Sequence, residues 1–462
     1  MIDDLRIHAH GERGPRAGGD HVLYWMQSTL RAHDSHALTF AIEQANLLRL
    51  PVLVYHGLRH DYPWASDRLH TFILESAADL HDAFAEQGIQ YALHLERDGR
   101  ERETRARGGE PDPLVALARR AAVVVTDYFP TFVVPRATRT LRRQVETPVV
   151  AVDSATVVPV RYHEREYSSA PPFRARLDKA LPDFHYLSPT PEPRVRRTVD
   201  LPFAPTVPER ARIRSLVAAC DIDHAVAPVP NLRGGPRAAR RRLERFLEEG
   251  LPRYAEERGD PNADATSGLS PYLHFGNISP REVLFHAREA AGVLQFAKFK
   301  DELLTWRELA FNFTHFNPRH RTVEAIPPWA RAELGRGEAD QRPVLYSLEE
   351  LEQARTGEPL WNAAQRAYLR DGWMPNALRM LWGKAVVQWT RTAADALAIL
   401  EHLNNKYALD GRDPGTYLNL HWVLGKFDRP FYRRPIFGTV RSMSLRAAEK
   451  KFDVGRIVAR YA

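Results

Sequence analysis

The sequence predicts two architectures in one chain: an α/β domain with a doubly wound, Rossmann-like parallel sheet, and then an all-α domain. Three observations support this prediction. Short β-branched runs alternate with helical patterns early in the chain, apolar residues recur at three-to-four spacing beyond Gly234, and a Pro- and Arg-rich stretch lies between the two patterns. We therefore expect the α/β domain at 20–160, an interdomain linker at 161–231 and the helical domain at 232–462.

Five apolar runs are the candidate strands of the first domain. They are continuous, as expected where helices cover both faces of a parallel sheet. The runs are VLYWM from Val22, PVLVYHGL from Pro51, IQYALHL from Ile89, AVVVTDY from Ala122 and PVVAVDS from Pro148. The helical patterns between them cover Ala37 to Leu50, Arg68 to Gln87, Leu114 to Ala121 and Arg136 to Val145. No G-x-G-x-x-G or Walker A pattern follows the first strand, which disfavours dinucleotide or phosphate binding of those kinds.

Six amphipathic patterns predict the helices of the second domain. In each, apolar residues recur three and four positions apart and so form one face of a helix. The patterns are ARRRLERFLEEGLPRYAEE, REVLFHAREAAGVL, FKDELLTWRELAFNF, NAAQRAYL, ALRMLWGKAVVQWT and DALAILEHLNNKY. The stretch before them shows little periodicity, and we interpret it as a long linker that lies on the protein.

Composition limits the classes of function. The chain has 462 residues, with 44% hydrophobic and 27% charged residues, which is typical of a globular protein. A single cysteine, Cys220, and the lack of a Cys/His cluster with zinc spacing predict a cytoplasmic, metal-free protein. The acidic start MIDDLRIHAHGERG and the absence of a long apolar run argue against a signal peptide and a membrane span. A net charge of +7 mildly favours a polyanionic partner, and we expect a monomer.

Seven of the nine tryptophans lie after residue 300. Trp382 and Trp389 are seven residues apart on one predicted helix, so they share a face but are separated by roughly 10 Å along its axis. That gap is too wide for ring contact. If both rings belong to one electron-transfer path, a third ring must lie between them, and Trp361 on the preceding helix is the candidate. Filling the core is the alternative role of each tryptophan.

The segment Ala265 to Glu282, ATSGLSPYLHFGNISPRE, predicts an anion-binding loop. Thr266, Ser267 and Ser270 place three hydroxyl groups within five residues beside Gly268. Together with free backbone N–H groups at the start of the next helix, these hydroxyls would suit a diphosphate. An ordinary helix cap is the alternative interpretation.

Two further segments carry candidate site residues. Glu302 and Trp306 are four residues apart on one helical face, where a carboxyl can hydrogen-bond a base edge while the indole packs on its flat surface. A solvated surface glutamate is the alternative. The segment from Asn404 to Trp422, NNKYALDGRDPGTYLNLHW, combines an amide, two carboxylates and a large aromatic ring, a set typical of a cofactor site. A capped turn would explain part of this pattern.

These motifs resemble those of the DNA photolyase and cryptochrome superfamily from about Val22 to Phe452. The loop at 265–282 is similar to the flavin diphosphate loop of that superfamily. The pattern N-x-x-Y-x-L-D-G-R-D-P and the helix around Glu302 resemble the class II cyclobutane-dimer photolyases most closely. The resemblance implies an antenna domain with a deazaflavin, a folate or no chromophore, followed by a domain that binds FAD.

The resemblance also implies roles for individual residues. Asn404 would face flavin N5, and Arg379 would pair with Asp410 beside the isoalloxazine. Trp382, Trp361 and Trp389 would carry electrons to the flavin. The residues implied to contact FAD are Tyr254, Thr266, Ser267, Gly268, Leu269, Ser270, Arg379, Asn404, Asp410 and Asp413.

The implied substrate is a pyrimidine dimer that is flipped out of DNA. Glu302, Trp306, Met380 and Trp422 would receive this dimer, and Asn404 completes the implied catalytic set. The DNA backbone would be contacted by Arg307, Arg429, Arg441, Lys450 and Lys451. The chain departs from the class II pattern where Pro375 replaces a histidine and Leu381 replaces an aromatic residue, which would alter the electron-transfer path.

The function implied is light-driven repair of cyclobutane pyrimidine dimers, by electron donation from excited, reduced anionic FAD. A cryptochrome-like photoreceptor without repair activity is the nearest alternative. A (6-4) photolyase is less favoured, because that reaction is expected to need active-site histidines and Pro375 stands where one would be sought. A non-enzymatic nucleic-acid binder would leave the flavin-site motifs unexplained.

Overall fold

The computed structural model describes residues 2–9, 14–187 and 189–462. The chain forms two compact units. The sheet unit consists of Met1–Tyr162, Asp183–Leu243 and Leu269–Phe285, and the helical unit of His163–Pro182, Glu244–Gly268 and His286–Ala462. Both units thus draw on the segment 161–231 and on residues beyond 232. The N-terminal segment used above against a signal peptide includes residues 1 and 10–13, which lie outside the described residues.

A six-stranded sheet forms the centre of the sheet unit. Its strands are β1 Ile7–His8, β2 Val22–Met26, β3 Val52–Leu58, β4 Gln90–Leu95, β5 Val123–Asp127 and β6 Val149–Val152, in the order β1-β6-β5-β2-β3-β4. Strand β2 pairs in parallel with both β3 and β5, and only β1 is antiparallel, to β6. The predicted fold class is confirmed. The sheet is mixed because of β1, which has only two residues and is too short to show a periodicity.

The helices, in chain order, are α1 His36–Leu48, α2 Asp67–Glu86, α3 Arg100–Arg107, α4 Pro113–Arg120, α5 Val134–Gln144, α6 Ala170–Phe184, α7 Ile213–Ala218, α8 Pro236–Arg245, α9 Tyr254–Glu257, α10 Ser270–His274, α11 Pro280–Ala290, α12 Val293–Lys300, α13 Arg307–Phe316, α14 Pro328–Gly337, α15 Leu348–Glu352, α16 Pro359–Asp371, α17 Asn376–Gln388, α18 Ala393–Tyr407, α19 Pro414–Val423, α20 Leu445–Ala448 and α21 Val454–Arg460. Two π-helical turns, Phe246–Gly250 and Asp301–Trp306, continue α8 and join α12 to α13. No helix in the described ranges combines the length and apolar character that a membrane crossing would need.

Alternate residues of β2 face opposite sides of the sheet. Val22, Tyr24 and Met26 pack in one apolar cluster with residues of α1, whereas Leu23 and Trp25 pack in another with residues of α4 and α5. Every residue of β2 is buried. This two-sided burial explains why the strand is a continuous apolar run and not an alternating one.

The core of the helical unit is built around α16, α17 and α18, which contribute Trp361, Trp382 and Leu400 to one large apolar cluster. Helix α18 starts with a capping box, in which the Thr392 hydroxyl and the Asp395 carboxylate each accept from the other's backbone N–H. Helix α16 ends at Gly372, whose φ of 62° is left-handed. The start of α18 and the end of α16 are therefore defined by local interactions.

The segment interpreted as a linker contains two helices, α6 and α7, which the sequence analysis missed. Three prolines hid α6 from the periodicity. Pro171 and Pro172 lie in its first turn, where proline removes no helical hydrogen bond, and Pro182 lies in its last turn. The rest of 161–231 is mostly irregular in the described residues.

Candidate functional site

The turn between α18 and α19 carries Asp410 and is held by Arg412. The Arg412 guanidinium donates to the carbonyl oxygens of Asn405, Ala408 (3.3 Å) and Leu409 (3.2 Å), which otherwise lack helical partners at the end of α18. Its backbone N–H also donates to Asn405 Oδ1 at 2.7 Å. Arg412 adopts a left-handed φ of 68°, which is strained for a residue other than glycine. The turn that positions Asp410 therefore carries backbone strain.

A buried ion pair joins α17 to this turn. Arg379 Nη2 donates to both carboxylate oxygens of Asp410, at 3.2 and 3.0 Å, and the two residues are 8% and 6% exposed. Burial opposes the charged form of Arg379, but the Asp410 carboxylate outweighs it and raises the pKa of Arg379 above its ordinary value. Arg379 Nε is also buried, and it has no hydrogen-bond partner among the described residues. The Arg379–Asp410 pair implied by the resemblance is present, and Arg379 Nε is a donor without a partner among the described residues.

The Asn404 side chain lies beside this pair and is 1% exposed. Its Oδ1 accepts from the Tyr368 hydroxyl at 2.9 Å, and its Nδ2 donates to Thr416 Oγ1 at 3.1 Å. Sequence reasoning missed both partners. The signal for Tyr368 was available, because it follows Trp361 by seven residues on α16, the same spacing that singled out Trp382 and Trp389.

The relay cluster is the name used here for three tryptophan rings in contact one after another: Trp382, Trp361 and Trp389. The Trp361 ring lies 6.2 Å from that of Trp382, nearly parallel at 8°, and 5.4 Å from that of Trp389 at 70°. The prediction that Trp361 stands between the other two is confirmed as geometry. The Trp361 indole N–H donates to the Trp382 carbonyl, and the Trp382 N–H donates to Gln365 Oε1, both at 3.0 Å. The Tyr368 ring meets the Trp382 ring edge-on at 5.5 Å. Tyr368 therefore contacts both the relay cluster and Asn404.

The predicted anion-binding loop adopts a turn that requires a glycine. Gly268 has a left-handed φ of 60°, and Leu269 is fully buried behind it. Ser270 begins α10, and its Oγ is buried without a partner in the described part of the chain. Thr266 and Ser267 are half-buried. The Ser270 hydroxyl is therefore shielded from water and makes no hydrogen bond within the described part of the chain.

Glu302 and Trp306 lie in the second π-helical turn. Glu302 Oε1 accepts from Arg258 Nη1 at 2.6 Å, and Trp306 is half-buried. Burial raises the pKa of the Glu302 carboxyl above its ordinary value, with the Arg258 charge opposing. Neither the π-helical turn nor Arg258 was visible in the periodicity. Single π turns occur frequently at functional sites.

Tyr254 packs against this turn from a neighbouring segment. Its ring lies 5.8 Å from Phe246 and 5.3 Å from Phe299, each edge to face, so that residues next to both π-helical turns meet in one aromatic cluster. Arg258, one helical turn after Tyr254, holds its guanidinium 5.9 Å from the Tyr254 ring. Tyr254, Arg258 and Glu302 therefore form one local group.

Trp422 on α19 is half-buried, and two cations lie over its ring. Lys384 Nζ is 5.1 Å and Arg441 Cζ 5.5 Å from the ring centroid. Lys384 is fully buried and donates to the Val423 carbonyl at 2.7 Å. Met380, which is 8% exposed, precedes Lys384 by one helical turn on α17. Sequence reasoning missed Lys384, although its four-residue spacing from Met380 placed it on the same face.

The remaining predicted residues have mixed surroundings. Asp413 is the N-cap of α19, since its Oδ1 accepts from the Gly415 N–H at 2.8 Å. Pro375 precedes the first residue of α17 and costs that helix no hydrogen bond, whereas Leu381 packs into the core at 5% exposure. Neither departure from the class II pattern disturbs the helix that carries Arg379.

The residues predicted to contact DNA do not form a uniform group. Arg429, Lys450 and Lys451 are exposed. Arg441 is half-buried and forms an ion pair with Asp428 at 2.9 Å, and Arg307 places its guanidinium 4.7 Å from the Phe311 ring. The exposed three have the freedom to reach phosphates, while Arg441 supports Trp422.

Among the residues that the structure describes, one group of potential metal ligands lies in the sheet unit. Donor atoms of His60, Asp61 and Glu96 lie within 4.8 Å of one another. Arg102 bonds to both carboxylates, and Arg59 also pairs with Asp61. Because these guanidinium groups already neutralise the two carboxylates, the group is best described as an ion-pair network.

The chemistry of the cluster around Arg379 fits a flavin. A buried donor without an acceptor is costly unless a ligand completes it, and Arg379 Nε is such a donor. Within the sheet unit, the loop that resembles a diphosphate site has a buried hydroxyl, that of Ser270, without a hydrogen-bond partner among the described residues. Arginine suits an anionic, planar partner because its guanidinium is flat and always charged.

Comparisons with known proteins agree with these observations. Residues 22–194 match the family model described as DNA photolyase. The chain is 35% identical over 464 residues to the deoxyribodipyrimidine photo-lyase of Methanothermobacter thermautotrophicus, covering 100% of this chain and 98% of the relative. It is 31% identical over 447 residues to the deoxyribodipyrimidine photo-lyase of Arabidopsis thaliana, covering 95% and 88%.

Solved structures share the fold at lower identity. A class III photolyase from Agrobacterium tumefaciens superposes with a TM-score of 0.68 at 20% identity, covering 98% of this chain and 88% of that one. A cryptochrome from Synechocystis superposes with a TM-score of 0.70 at 16% identity, covering 96% and 88%. These structures support the fold, and the full-length relatives carry the assignment. The chain belongs to the DNA photolyase family.

Proposed function

We propose that this protein splits cyclobutane pyrimidine dimers in DNA, in light, with bound FAD in its reduced anionic form, and that it is of the class II type. The observation that carries this proposal is the buried Arg379–Asp410 pair, with its spare Nε donor, beside Asn404 and next to the relay cluster. Relatives of nearly the same length that are named deoxyribodipyrimidine photo-lyase support it.

When bound, reduced FAD supplies an electron to the dimer after excitation and regains it when the ring has split, so that no net redox change remains. The protein's part is to bind, orient and tune. Arg379 stabilises negative charge on the isoalloxazine, and Asp410 holds the guanidinium in place. The relay cluster offers a continuous series of aromatic rings from Trp389 to Trp382 for restoring the reduced state.

Glu302 is the residue that we propose to recognise the pyrimidine edge. Burial raises the pKa of its carboxyl above the ordinary value, and the carboxyl can hydrogen-bond a pyrimidine edge that reaches it. Arg258 donates to Oε1 of the same carboxyl, which fixes the position of the Glu302 side chain. A dimer stacks poorly, which lowers the cost of flipping it out of the duplex.

Trp306, Trp422 and Met380 would form the apolar walls that receive the dimer. Two of them are half-buried indoles, which present a flat surface to a base while the protein packs on the other side. Arg429, Lys450 and Lys451 are exposed and would contact phosphates. A DNA affinity that does not depend on salt would contradict these proposed phosphate contacts.

The test is to purify the protein, record its absorption spectrum and illuminate it with oligonucleotides that carry either a cyclobutane dimer or a (6-4) lesion. We expect a flavin spectrum and loss of the cyclobutane dimer alone, with no loss in the dark. A colourless protein, or loss of neither lesion, would overturn the proposal. Flavin photoreduction without repair would instead indicate the photoreceptor function. A further absorption band would identify a deazaflavin or folate in the sheet unit, where we propose the antenna site.

A further inference from the structure

Tyr368 is a buried side chain on α16 that contacts three parts of the proposed flavin site. Its hydroxyl donates to Asn404 Oδ1 at 2.9 Å. Its ring meets the Trp382 ring edge-on at 5.5 Å, and the Arg379 guanidinium lies 5.6 Å from the ring centroid. Tyr368 thus links the amide, the ion pair and the relay cluster.

Hydrogen bonding determines which way the Asn404 amide points. The Thr416 hydroxyl donates its only hydrogen to the Asp410 carbonyl oxygen at 3.3 Å, so toward Asn404 it can only accept. Asn404 must therefore turn its Nδ2 to Thr416, at 3.1 Å, and its Oδ1 to Tyr368. The Tyr368 hydroxyl must be the donor in that contact. Two hydroxyl groups at opposite ends thus specify one orientation of the amide.

The same residues form a closed circuit around the site. From Tyr368 the hydrogen bonds lead through Asn404 and Thr416 to the backbone of Asp410. The Asp410 carboxylate then binds Arg379, whose guanidinium lies against the Tyr368 ring. Burial raises the pKa of the Tyr368 hydroxyl above its ordinary value, so this group keeps its proton and stays a donor.

We infer that Tyr368 is a positioning residue, which together with Thr416 locks the Asn404 amide in one orientation and so sets the polar group that the isoalloxazine meets. This inference rests on the proposed flavin site and adds a residue that influences the redox properties of the flavin through Asn404.

The test compares Tyr368→Phe, Thr416→Val and the double variant with the wild type, all loaded with flavin. We expect each single variant to shift the midpoint potential of the bound flavin and its pH dependence. The double variant should shift the potential by less than the sum, because both substitutions act on one amide. Thr416→Ser keeps the hydroxyl and should restore the wild-type potential.

Tyr461→Phe is the matched control, since it removes another buried tyrosine hydroxyl, one that donates to Asp371 at 3.0 Å, and it should leave the potential unchanged. A wild-type potential in both Tyr368→Phe and Thr416→Val, with flavin bound, would overturn the inference and leave the proposed function standing. Fully additive shifts would overturn the shared role of the amide. A wild type that binds no flavin would remove both proposals.

Discussion

The helical unit uses tryptophan in two contrasting environments. The rings of the relay cluster are at most 4% exposed and contact one another. Trp422 is half-buried and lies under two cations, Lys384 and Arg441. A positive charge over a ring makes removal of an electron from that ring less favourable. The surroundings therefore suit the relay cluster to the proposed electron transfer better than they suit Trp422, which we propose as a wall of the dimer pocket.

The largest effect is expected when a ring of the relay cluster is replaced, because this tests the contrast between the two environments directly. Trp382→Phe should lose nearly all photoreduction of bound, oxidised flavin, because Trp382 is the ring next to Tyr368 and the flavin site. The measurement is flavin absorbance under illumination with an external electron donor. Trp422→Phe should keep photoreduction and weaken dimer binding. The chemically reduced Trp382→Phe protein should still repair dimers, and failure of that control would show a general loss of structure.

A second test removes the polar contact of the dimer pocket. Glu302→Ala should lower the affinity for dimer-containing DNA by about 10- to 100-fold, as expected for loss of hydrogen bonds worth about 1.5–3 kcal/mol. Binding to undamaged DNA should not change, and competition binding measures both. Glu302→Gln keeps an N–H donor and should retain much of the affinity. An equal loss in both variants would contradict a hydrogen bond from this side chain to the dimer.

A third test addresses the charge beside Trp422. Burial lowers the pKa of Lys384 to about 7, whereas it is near its ordinary value in the unfolded chain. Between those two pKa values the unfolded state binds more protons, so the stability of the wild type rises with pH. Relative to Lys384→Met, the wild type should gain about 2 kcal/mol of unfolding free energy from pH 7 to pH 9.

Denaturant unfolding of the wild type and Lys384→Met at several pH values measures this difference. Other titrating groups cancel in the comparison, because both proteins carry them. A difference that is constant with pH would show that Lys384 keeps its ordinary pKa. In that case the cation over Trp422 would persist at every pH tested.

The smallest expected effect concerns two exposed charges, Lys450 and Lys451. Lys450→Gln with Lys451→Gln should reduce the slope of log affinity against log salt by about 1 for each phosphate that the protein no longer neutralises. Damaged and undamaged DNA should be affected alike, and photoreduction should be unchanged. Asp428→Asn with an intact Arg441 serves as a comparison in which a partnered arginine is released. An unchanged slope in the double variant would place the DNA elsewhere.

The sequence predicted well what depends on periodicity. The five long strands follow from continuous apolar runs, and the position of Trp361 follows from the seven-residue spacing of Trp382 and Trp389. The Arg379–Asp410 contact was implied by resemblance, since no spacing rule relates residues 31 positions apart. Helix α6 was missed because its terminal prolines interrupt the pattern without interrupting the helix.

Other features arise only when the chain is folded. Arg412 stands among candidate cofactor residues in the sequence, yet its guanidinium closes the end of α18. Lys384 belongs to an apolar helix, and only the neighbouring Trp422 ring and Val423 carbonyl show what its charge contacts. Tyr368 shares the spacing of the tryptophans, but its bond to Asn404 depends on the packing of α16 against α18.

The π-helical turn at Asp301–Trp306 shifts the register of side-chain directions within one long helix. Its hydrogen bonds reach five residues back where an α-helix reaches four, so it takes up one more residue than an α-helical turn. Deleting one residue there would restore α-helical pairing and rotate everything beyond it by about 100° relative to what precedes it. The side chains of α12 and α13 therefore point in directions that one continuous α-helix would not give them, and Glu302 and Trp306 lie in the turn where the direction changes.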